Sequence, residues 1–104
     1  MTAYTVVRFR PKEGRHEEFQ TLFCNIVREF EGLRHFALAK SASGDYFSIG
    51  EWDTFEHIVA ARPKMLGNLD SFRHTLAEFG QDLGVTDAIS GEAILDLTYD
   101  GKVP

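Results

Sequence analysis

Two arginines on one predicted helix are the first candidates for chemistry in this sequence. Arg62 and Arg73 fall among apolar residues that recur at helical spacing between Phe55 and Phe79, so both side chains are predicted near the centre of the apolar stripe. An arginine that faces a protein core needs a partner, because a buried unpaired charge is very costly. The pattern therefore favours a cavity in which one or both guanidinium groups meet an anionic or oxyanion group.

A purely structural interpretation of these arginines stays open. Long arginine side chains can lie along apolar surface while the charge stays in water, and either residue could pair with a carboxylate such as Asp70 or Glu51. Pro63 disfavours helical geometry at Arg62 and suits the first position of a new helix. The helix could therefore consist of two pieces, with Arg62 at the joint.

Three aromatic residues with a polar atom are candidate pocket residues: Trp52, Tyr46 and Tyr4. Such side chains combine a large apolar surface with one hydrogen-bonding group, which suits a ligand pocket, a core or a subunit contact. A base is harder to find, and His74 is the remaining candidate for that role.

Other recognisable chemistry is missing from the sequence. No two histidines have the i, i+4 spacing of a helical metal site and there is no HExxH motif, so no metal is predicted. A P-loop, a GxGxxG motif and a Ser-His-Asp motif are also missing. We therefore predict no cofactor.

Composition narrows the possible partners. With 104 residues the chain is predicted to form a single domain over residues 1–104. The net charge of -5 and the pI of about 5.3 argue against a nucleic-acid binder, which would usually be basic. No apolar run reaches the length of a membrane helix, and the start of the chain does not resemble a signal peptide. Cys24, the single cysteine, fits a reducing compartment, and a cytoplasmic location is expected.

The strands that must position these residues are rich in β-branched and aromatic side chains. They are predicted at residues 4–10, 35–40, 46–52 and 92–99. A glycine-containing hairpin loop at residues 41–45 joins the second and third strands.

Two amphipathic helices complete the pattern. Apolar residues at helical spacing run from Phe19 to Phe30, and Gly32 follows as a helix-ending glycine. The second helix is predicted to begin at Asp53 or Thr54 and to run to about Phe79. The order β-α-β-β-α-β predicts a ferredoxin-like α+β fold, an antiparallel four-stranded sheet with both helices on one face.

The sheet face that the helices leave uncovered is unusually apolar. The third strand carries Phe47 and Ile49 on one side and Tyr46 and Trp52 on the other. A broad exposed apolar patch is unusual on a monomer, so we predict a homodimer with the two sheets packed face to face. A monomer with a few exposed aromatic residues is the alternative.

The stretch "YFSIGEWDTFEHIVAARPKM", followed by a terminal strand "GEAILDLTY", resembles the antibiotic biosynthesis monooxygenase (ABM) group of the dimeric α+β barrel superfamily. The resemblance covers residues 3–99 and is most specific where the third strand ends in Glu-Trp and a capped helix follows. It implies a homodimeric barrel with a pocket between sheet and helices in each subunit.

The resemblance also implies an activity. Some members of the group oxidise aromatic substrates with O2 and without metal or flavin, and Trp52 matches their active-site tryptophan. Arg73 is the match for their substrate-binding arginine, and Arg62 is a second candidate. Haem-degrading relatives use an Asn on the first strand and a Trp on the second helix, which this chain lacks, so haem is not predicted.

These residues lead to two functional hypotheses. The first is a cofactor-independent monooxygenase for a small aromatic or enolisable substrate, with Arg73, His74 and Trp52 as catalytic residues and Arg62, Tyr46 and Tyr4 as substrate-binding residues. The second is a non-catalytic dimeric module that binds a small ligand or serves as an accessory protein.

Overall fold

The computed structural model describes residues 1–80 and 82–97. These residues form four strands and two helices, and a short 3-10 turn follows the second helix. The elements are β1 (Ala3–Phe9), α1 (His16–Cys24), β2 (Leu33–Lys40), β3 (Tyr46–Trp52), α2 (Phe55–Phe72), the 3-10 turn (Arg73–Thr75) and β4 (Thr86–Glu92). The predicted β-α-β-β-α-β order and the ferredoxin-like fold are confirmed. No helix among these residues is long and apolar enough to cross a membrane.

The four strands form one antiparallel sheet in the order β2-β3-β1-β4. Because side chains alternate along a strand, one face carries Trp52 and Tyr46, which are buried against the helices. Phe47, Ile49 and Tyr4 point to the opposite face, which no element of the described chain covers. The predicted division of β3 between two faces is therefore correct.

Helix α1 is shorter than predicted and ends at Cys24 rather than near Phe30. Its first turns bury Phe19 and Phe23 as the apolar spacing indicates. Beyond them, Asn25 donates its side-chain amide to the carbonyl of Thr21 (2.9 Å), a local bond that competes with continued helix. Residues 25–32 leave the helix and run beside α2; we call this segment the strap.

Helix α2 is continuous through Pro63, so the predicted joint between two helical pieces is wrong. Thr54 is the N-cap, and its side chain accepts the backbone N–H of His57. The helix ends at Phe72 and not at Phe79, because Arg73–Thr75 tighten into a 3-10 turn.

The last strand lies earlier in the chain than predicted. β4 spans Thr86–Glu92 instead of residues 92–99. Its partner β1 extends only from Phe9, opposite Thr86, to Ala3, opposite Glu92, so the ladder ends there. The apolar residues Ile94, Leu95 and Leu97 beyond it are exposed. Tyr99, at the end of the predicted strand, lies outside the described residues.

The core between sheet and helices has two clusters. One is built on four phenylalanines whose ring centroids lie 5.4 to 5.6 Å apart in every pairing: Phe9, Phe19, Phe23 and Phe72. The other is built on Trp52 and Ile58, with Ala3 and Ala61. Tilted and edge-on aromatic pairs of this kind add to the stabilisation from burial alone.

A charged clamp fixes the chain beyond α2 to the sheet. Arg10 binds both carboxylate oxygens of Asp45 (2.8 and 3.0 Å), and Arg8 binds Asp87 (2.9 Å). Both guanidinium groups lie over the ring of Phe79, 4.5 and 4.8 Å from its centroid. The clamp thus joins β1, the β2–β3 loop, the segment after α2 and β4.

The clamp predicts a dependence of stability on pH. The hydrogen bond from Arg10 lowers the pKa of Asp45 below its ordinary value of 3.8, although burial acts in the opposite direction. A carboxyl whose pKa is depressed in the folded state adds stability above its unfolded pKa and loses it as the pH falls through the folded value. Asp45→Asn should therefore lower the free energy of unfolding by about 1–2 kcal/mol at pH 7. As the pH falls below about 4, the variant should lose less of its free energy of unfolding than the wild type does.

Urea unfolding at pH 7 and pH 3 measures both effects. Asp70→Asn is the matched control, because Asp70 is exposed and the ion pair found for its carboxylate among the described residues is with Arg73 in the same segment. Two results would show that the clamp does not act as described. One is an equal loss of unfolding free energy in the two variants at pH 7, and the other is a decrease between pH 7 and pH 3 that is as large in Asp45→Asn as in the wild type.

Candidate functional site

A cavity of about 380 Å³ lies between the sheet and α2. Its floor is formed by all four strands of the sheet and its roof is α2, with the end of α1 and the strap as a side wall. The lining is mainly apolar, and several aromatic rings contribute to it. Both features are typical of small-molecule sites.

The cavity is bounded by the two core clusters. Phe9, Phe23 and Phe72 close one end and Trp52 with Ile58 closes the other. Flat aromatic walls at both ends favour a planar apolar ligand, since rings pack well in offset or edge-on contact.

Trp52 is held rigidly in this wall. It is 2% exposed, and its indole N–H donates to the hydroxyl of Thr5 on the neighbouring strand (3.1 Å). Gly50 makes this contact possible, because a Cβ there would lie 2.6 Å from Thr5 Oγ1 and 2.8 Å from Trp52 Nε1. Since the indole group can only donate, the hydroxyl of Thr5 accepts this bond and keeps its own proton available.

Ser48 supplies a second hydroxyl on the cavity floor. It is 4% exposed and lines the cavity, and within residues 1–80 and 82–97 no hydrogen bond to its hydroxyl is found. Thr5 is paired with Gly50, so Ser48 is its diagonal neighbour at roughly 7 Å. Neither hydroxyl was predicted from the sequence as a site residue, although the alternation that places Tyr46 and Trp52 inward also places Ser48 there.

Arg62 brings the single charge among the described lining residues. It is exposed at the cavity rim beside Met65 and Leu66, and no ion pair of its guanidinium group is found within the described part of the chain. Arg62 thus reaches the cavity from its exposed edge, whereas the helical spacing had placed it near the centre of the core-facing stripe. A guanidinium group at the mouth of an apolar cavity can bind an anionic oxygen of a ligand.

Arg73 and His74 lie elsewhere. Arg73 is exposed in the 3-10 turn and its guanidinium Nη2 lies 3.2 Å from Asp70, the partner that the structural alternative named. Its predicted place on the core-facing stripe is wrong, because α2 ends one residue before it. His74 is also exposed, and its Nε2 lies 3.0 Å from Glu18. Neither residue lines the cavity.

Glu18 connects this surface pair to a third residue. Arg15 donates to Glu18 at 2.5 Å. Hydrogen bonds from Arg15 and then His74 lower the pKa of the Glu18 carboxyl. The group is therefore a surface ion-pair network, which explains the position of His74 without a catalytic role.

The two tyrosines are also outside the cavity lining. Tyr46 is buried in the phenylalanine cluster, 5.0 Å from the ring of Phe19, and its hydroxyl accepts a bond from Gln20 (2.6 Å). Tyr4 points to the uncovered face of the sheet, where burial first, and then the charges of Asp96 and Glu51, raise the pKa of its phenol. Of the six predicted site residues, only Trp52 and Arg62 meet at the cavity.

This arrangement can bind, orient and stabilise charge. The hydroxyls of Thr5 and Ser48 lie on the cavity floor, aromatic rings form part of its wall, and the guanidinium group of Arg62 lies at the exposed edge. No Asp, Glu or His occurs among the described lining residues, so a proton acceptor from the cavity wall is not evident there. Stabilisation of a negatively charged ligand oxygen is the chemistry that these side chains support best.

Comparison with known proteins gives a fold relationship. No family model and no curated protein matches the chain. Rv0793 from Mycobacterium tuberculosis superposes with a TM-score of 0.74 at 14% identity, over 94% of this chain and all of the other.

Two further structures carry functional names. SnoaB, a cofactor-independent oxygenase from Streptomyces nogalater studied as a variant, matches with a TM-score of 0.67 at 16% identity, over 94% of this chain and 98% of its own. A candidate antibiotic biosynthesis monooxygenase from Chloroflexus aurantiacus J-10-fl matches with a TM-score of 0.70 at 11% identity, over 94% and 98% of the two chains. The chain therefore has the fold of ABM proteins over nearly its whole length, as the resemblance in its sequence predicts.

Proposed function

We propose that this protein is a cofactor-independent monooxygenase that acts on a small aromatic or enolisable substrate in the cavity beside Trp52. The observation that carries the proposal is the aromatic-lined cavity, with Arg62 as its single charged lining residue among those described. The fold shared with SnoaB, whose name describes a cofactor-independent oxygenase, supports it at the level of architecture.

The proposed reaction begins with an acidic CH2 group of the substrate, between aromatic or carbonyl groups. Loss of one proton to water gives an enolate, whose oxygen binds the guanidinium group of Arg62 or the hydroxyls of Thr5 and Ser48. The enolate carbon then gives its electrons to O2 and forms a C–O bond, which yields a peroxide.

Loss of water from this peroxide completes the step. One oxygen atom remains as the new carbonyl, and the other leaves as water with both hydrogens of the original CH2 group. The substrate is the reductant, so no other electron donor is needed. The contribution of the protein is to position the substrate and to favour its anion over its neutral form, the form of catalysis that preorganised donors provide best.

A non-catalytic ligand-binding module is the second candidate function. The observation that favours it is the lack of any Asp, Glu or His in the described cavity lining. In that case the same cavity would bind an aromatic ligand and leave it unchanged.

Oxygen uptake with a panel of anthrone-like and catechol-like compounds separates the two functions. A monooxygenase consumes O2 in proportion to the substrate and gives an oxidised product, and Trp52→Phe should slow it by altering the cavity wall. If no compound is consumed with O2 faster in the presence of the protein than in its absence, the monooxygenase proposal is wrong and the ligand-binding function is favoured.

We also propose that the protein is a homodimer and that it is located in the cytoplasm. Apolar side chains occupy the sheet face that the described elements leave uncovered, among them Val6, Phe47 and Ile49. Next to this sheet, the exposed apolar residues Ile94 and Leu95 have strand-like sequence but no paired strand within the described chain. A second copy would cover both surfaces.

Light scattering at micromolar concentration tests the dimer. We expect a mass of two chains, and Ile49→Lys should shift it toward one chain, because a charge placed in an apolar interface is costly. Asp70→Asn, on an exposed turn of α2, should leave the mass unchanged. A wild-type mass of one chain would contradict the dimer.

A further inference from the structure

The strap, residues 25–32, is attached to α2 almost wholly by side chains of α2. The backbone N–H of Val27 donates to Asn68 Oδ1 (3.1 Å), and Asn68 Nδ2 donates back to the carbonyl of Val27 (2.8 Å). Further along, Lys64 Nζ donates to the carbonyl of Glu29 (3.0 Å). All of these bonds are exposed to solvent.

The backbone of the strap adds only local bonds. Asn25 and Ile26 donate to carbonyls in the last turn of α1, and Leu33 donates to Phe30. Between these ends, the strap has no ladder bond to a strand among the described residues. Segments with few backbone bonds and exposed side-chain contacts open most easily.

The inner side of the strap is part of the cavity wall. Ile26 and Phe30 both line the cavity. The ring of Phe30 packs edge-on against Trp52, with 5.8 Å between the ring centroids, and Lys64 Nζ lies over the Phe30 ring, 5.3 Å from its centroid. Movement of the strap would therefore uncover the Trp52 end of the cavity, whereas the sheet and α2 would stay in place.

Gly32 is suited to act as a hinge at the far end of the strap. It has a φ of 84°, which favours glycine, and a Cβ there would collide with the ring of His57. Its carbonyl accepts the N–H of Asp53 (2.8 Å), so the point where the strap joins the sheet is fixed.

From these contacts we infer that the strap is a movable wall that admits ligand to the Trp52 end of the cavity, and that Asn68 is the latch that holds it closed. Asn68 also lines the cavity, but its side-chain oxygen and nitrogen are both bonded to the backbone of Val27, so we assign it a positioning role through Val27. The inference rests on the cavity being a ligand site, as proposed above, but it does not require turnover of O2.

Asn68→Ala tests the latch through two local probes. Hydrogen exchange at the Val27 amide should accelerate roughly tenfold or more, because its partner is lost, while amides in β3 keep their rates. Trp52 is the only tryptophan in the chain, so its quenching by acrylamide reports opening at that end and should rise several-fold. Asp70→Asn, two residues further along α2, should change neither probe.

A stopped-flow experiment tests the role in ligand entry. The probe is 1-anilinonaphthalene-8-sulfonate, an anionic aromatic dye, and its association rate should rise several-fold in Asn68→Ala. Faster Val27 exchange with unchanged quenching and association would overturn the inference, because the strap would then be loosened without controlling access. Unchanged exchange at Val27 would overturn the latch itself. None of these results depends on oxygen uptake, so a failure of the monooxygenase proposal remains distinguishable.

Discussion

Replacement of Trp52 with alanine should lower the free energy of unfolding by about 3–5 kcal/mol, the usual loss for a large buried aromatic side chain. Trp52 is 2% exposed and packs with Ile58, Ala3 and Ala61. Its removal also leaves the hydroxyl of Thr5 without the indole N–H. Urea unfolding followed by circular dichroism measures the loss without relying on tryptophan fluorescence.

Gly50→Ala tests the same contact from the other side. The new Cβ would lie too close to both Thr5 and Trp52, and forced shifts in a packed core cost about 1–3 kcal/mol. Gly67→Ala is the control, because a Cβ at that position meets no heavy atom within 4 Å. A loss below about 1 kcal/mol in Trp52→Ala would be inconsistent with a rigid Trp52 wall, given the usual cost of such truncations.

Replacement of Arg62 with alanine should reduce kcat/KM for an enolisable substrate by about 10- to 100-fold, since a hydrogen bond to a charged group contributes about 1.5–3 kcal/mol. Folding stability should change little, because Arg62 is exposed at the cavity rim. Oxygen uptake at several substrate concentrations gives the ratio.

Arg73→Ala is the matched control for this prediction. It removes the same charge from the 3-10 turn that follows α2, but Arg73 contacts Asp70 and does not line the cavity. Its kcat/KM should match the wild type. Equal losses in the two variants would point to overall charge, and a loss confined to Arg73→Ala would contradict the placement of the site.

The division of β3 between two faces was predictable because strand alternation depends on local sequence alone. Tyr46 and Trp52 alternate with Phe47 and Ile49, and the helix-facing side follows directly from that pattern. The same rule would have found Ser48 as an inward hydroxyl. Alternation alone does not select Trp52, because Tyr46 on the same face lies outside the cavity lining. The family resemblance singled out Trp52, and its bond to Thr5 depends on the register of β1 and β3.

Element ends were less predictable because tertiary contacts decide them. The apolar spacing continues past Cys24 to Phe30, but helix α1 ends at Cys24. The backbone N–H and carbonyl of Val27 are hydrogen-bonded to the side chain of Asn68 instead of to helical partners. The sequence after Glu92 looks like a strand, but β1 ends opposite Glu92. In both places a distant partner, invisible in the local pattern, determines the structure.

The two arginines show the same limit within one helix. A helical wheel holds only as long as the helix continues. Because α2 passes through Pro63 without a break, the wheel still applies at Arg62, which lines the cavity but is exposed rather than core-facing. The 3-10 turn begins at Arg73, so the wheel no longer applies there. The site consequently keeps the first arginine and loses the second.

An anaerobic titration with an anthrone-like compound tests the central claim, that the cavity beside Trp52 binds the substrate. The emission of the single tryptophan should change saturably with one ligand per chain. Binding should weaken in Arg62→Ala and disappear in Ala88→Phe, which fills the cavity floor on β4. An emission that does not saturate in the wild type, or an Ala88→Phe variant that binds as tightly as the wild type, would contradict the claim.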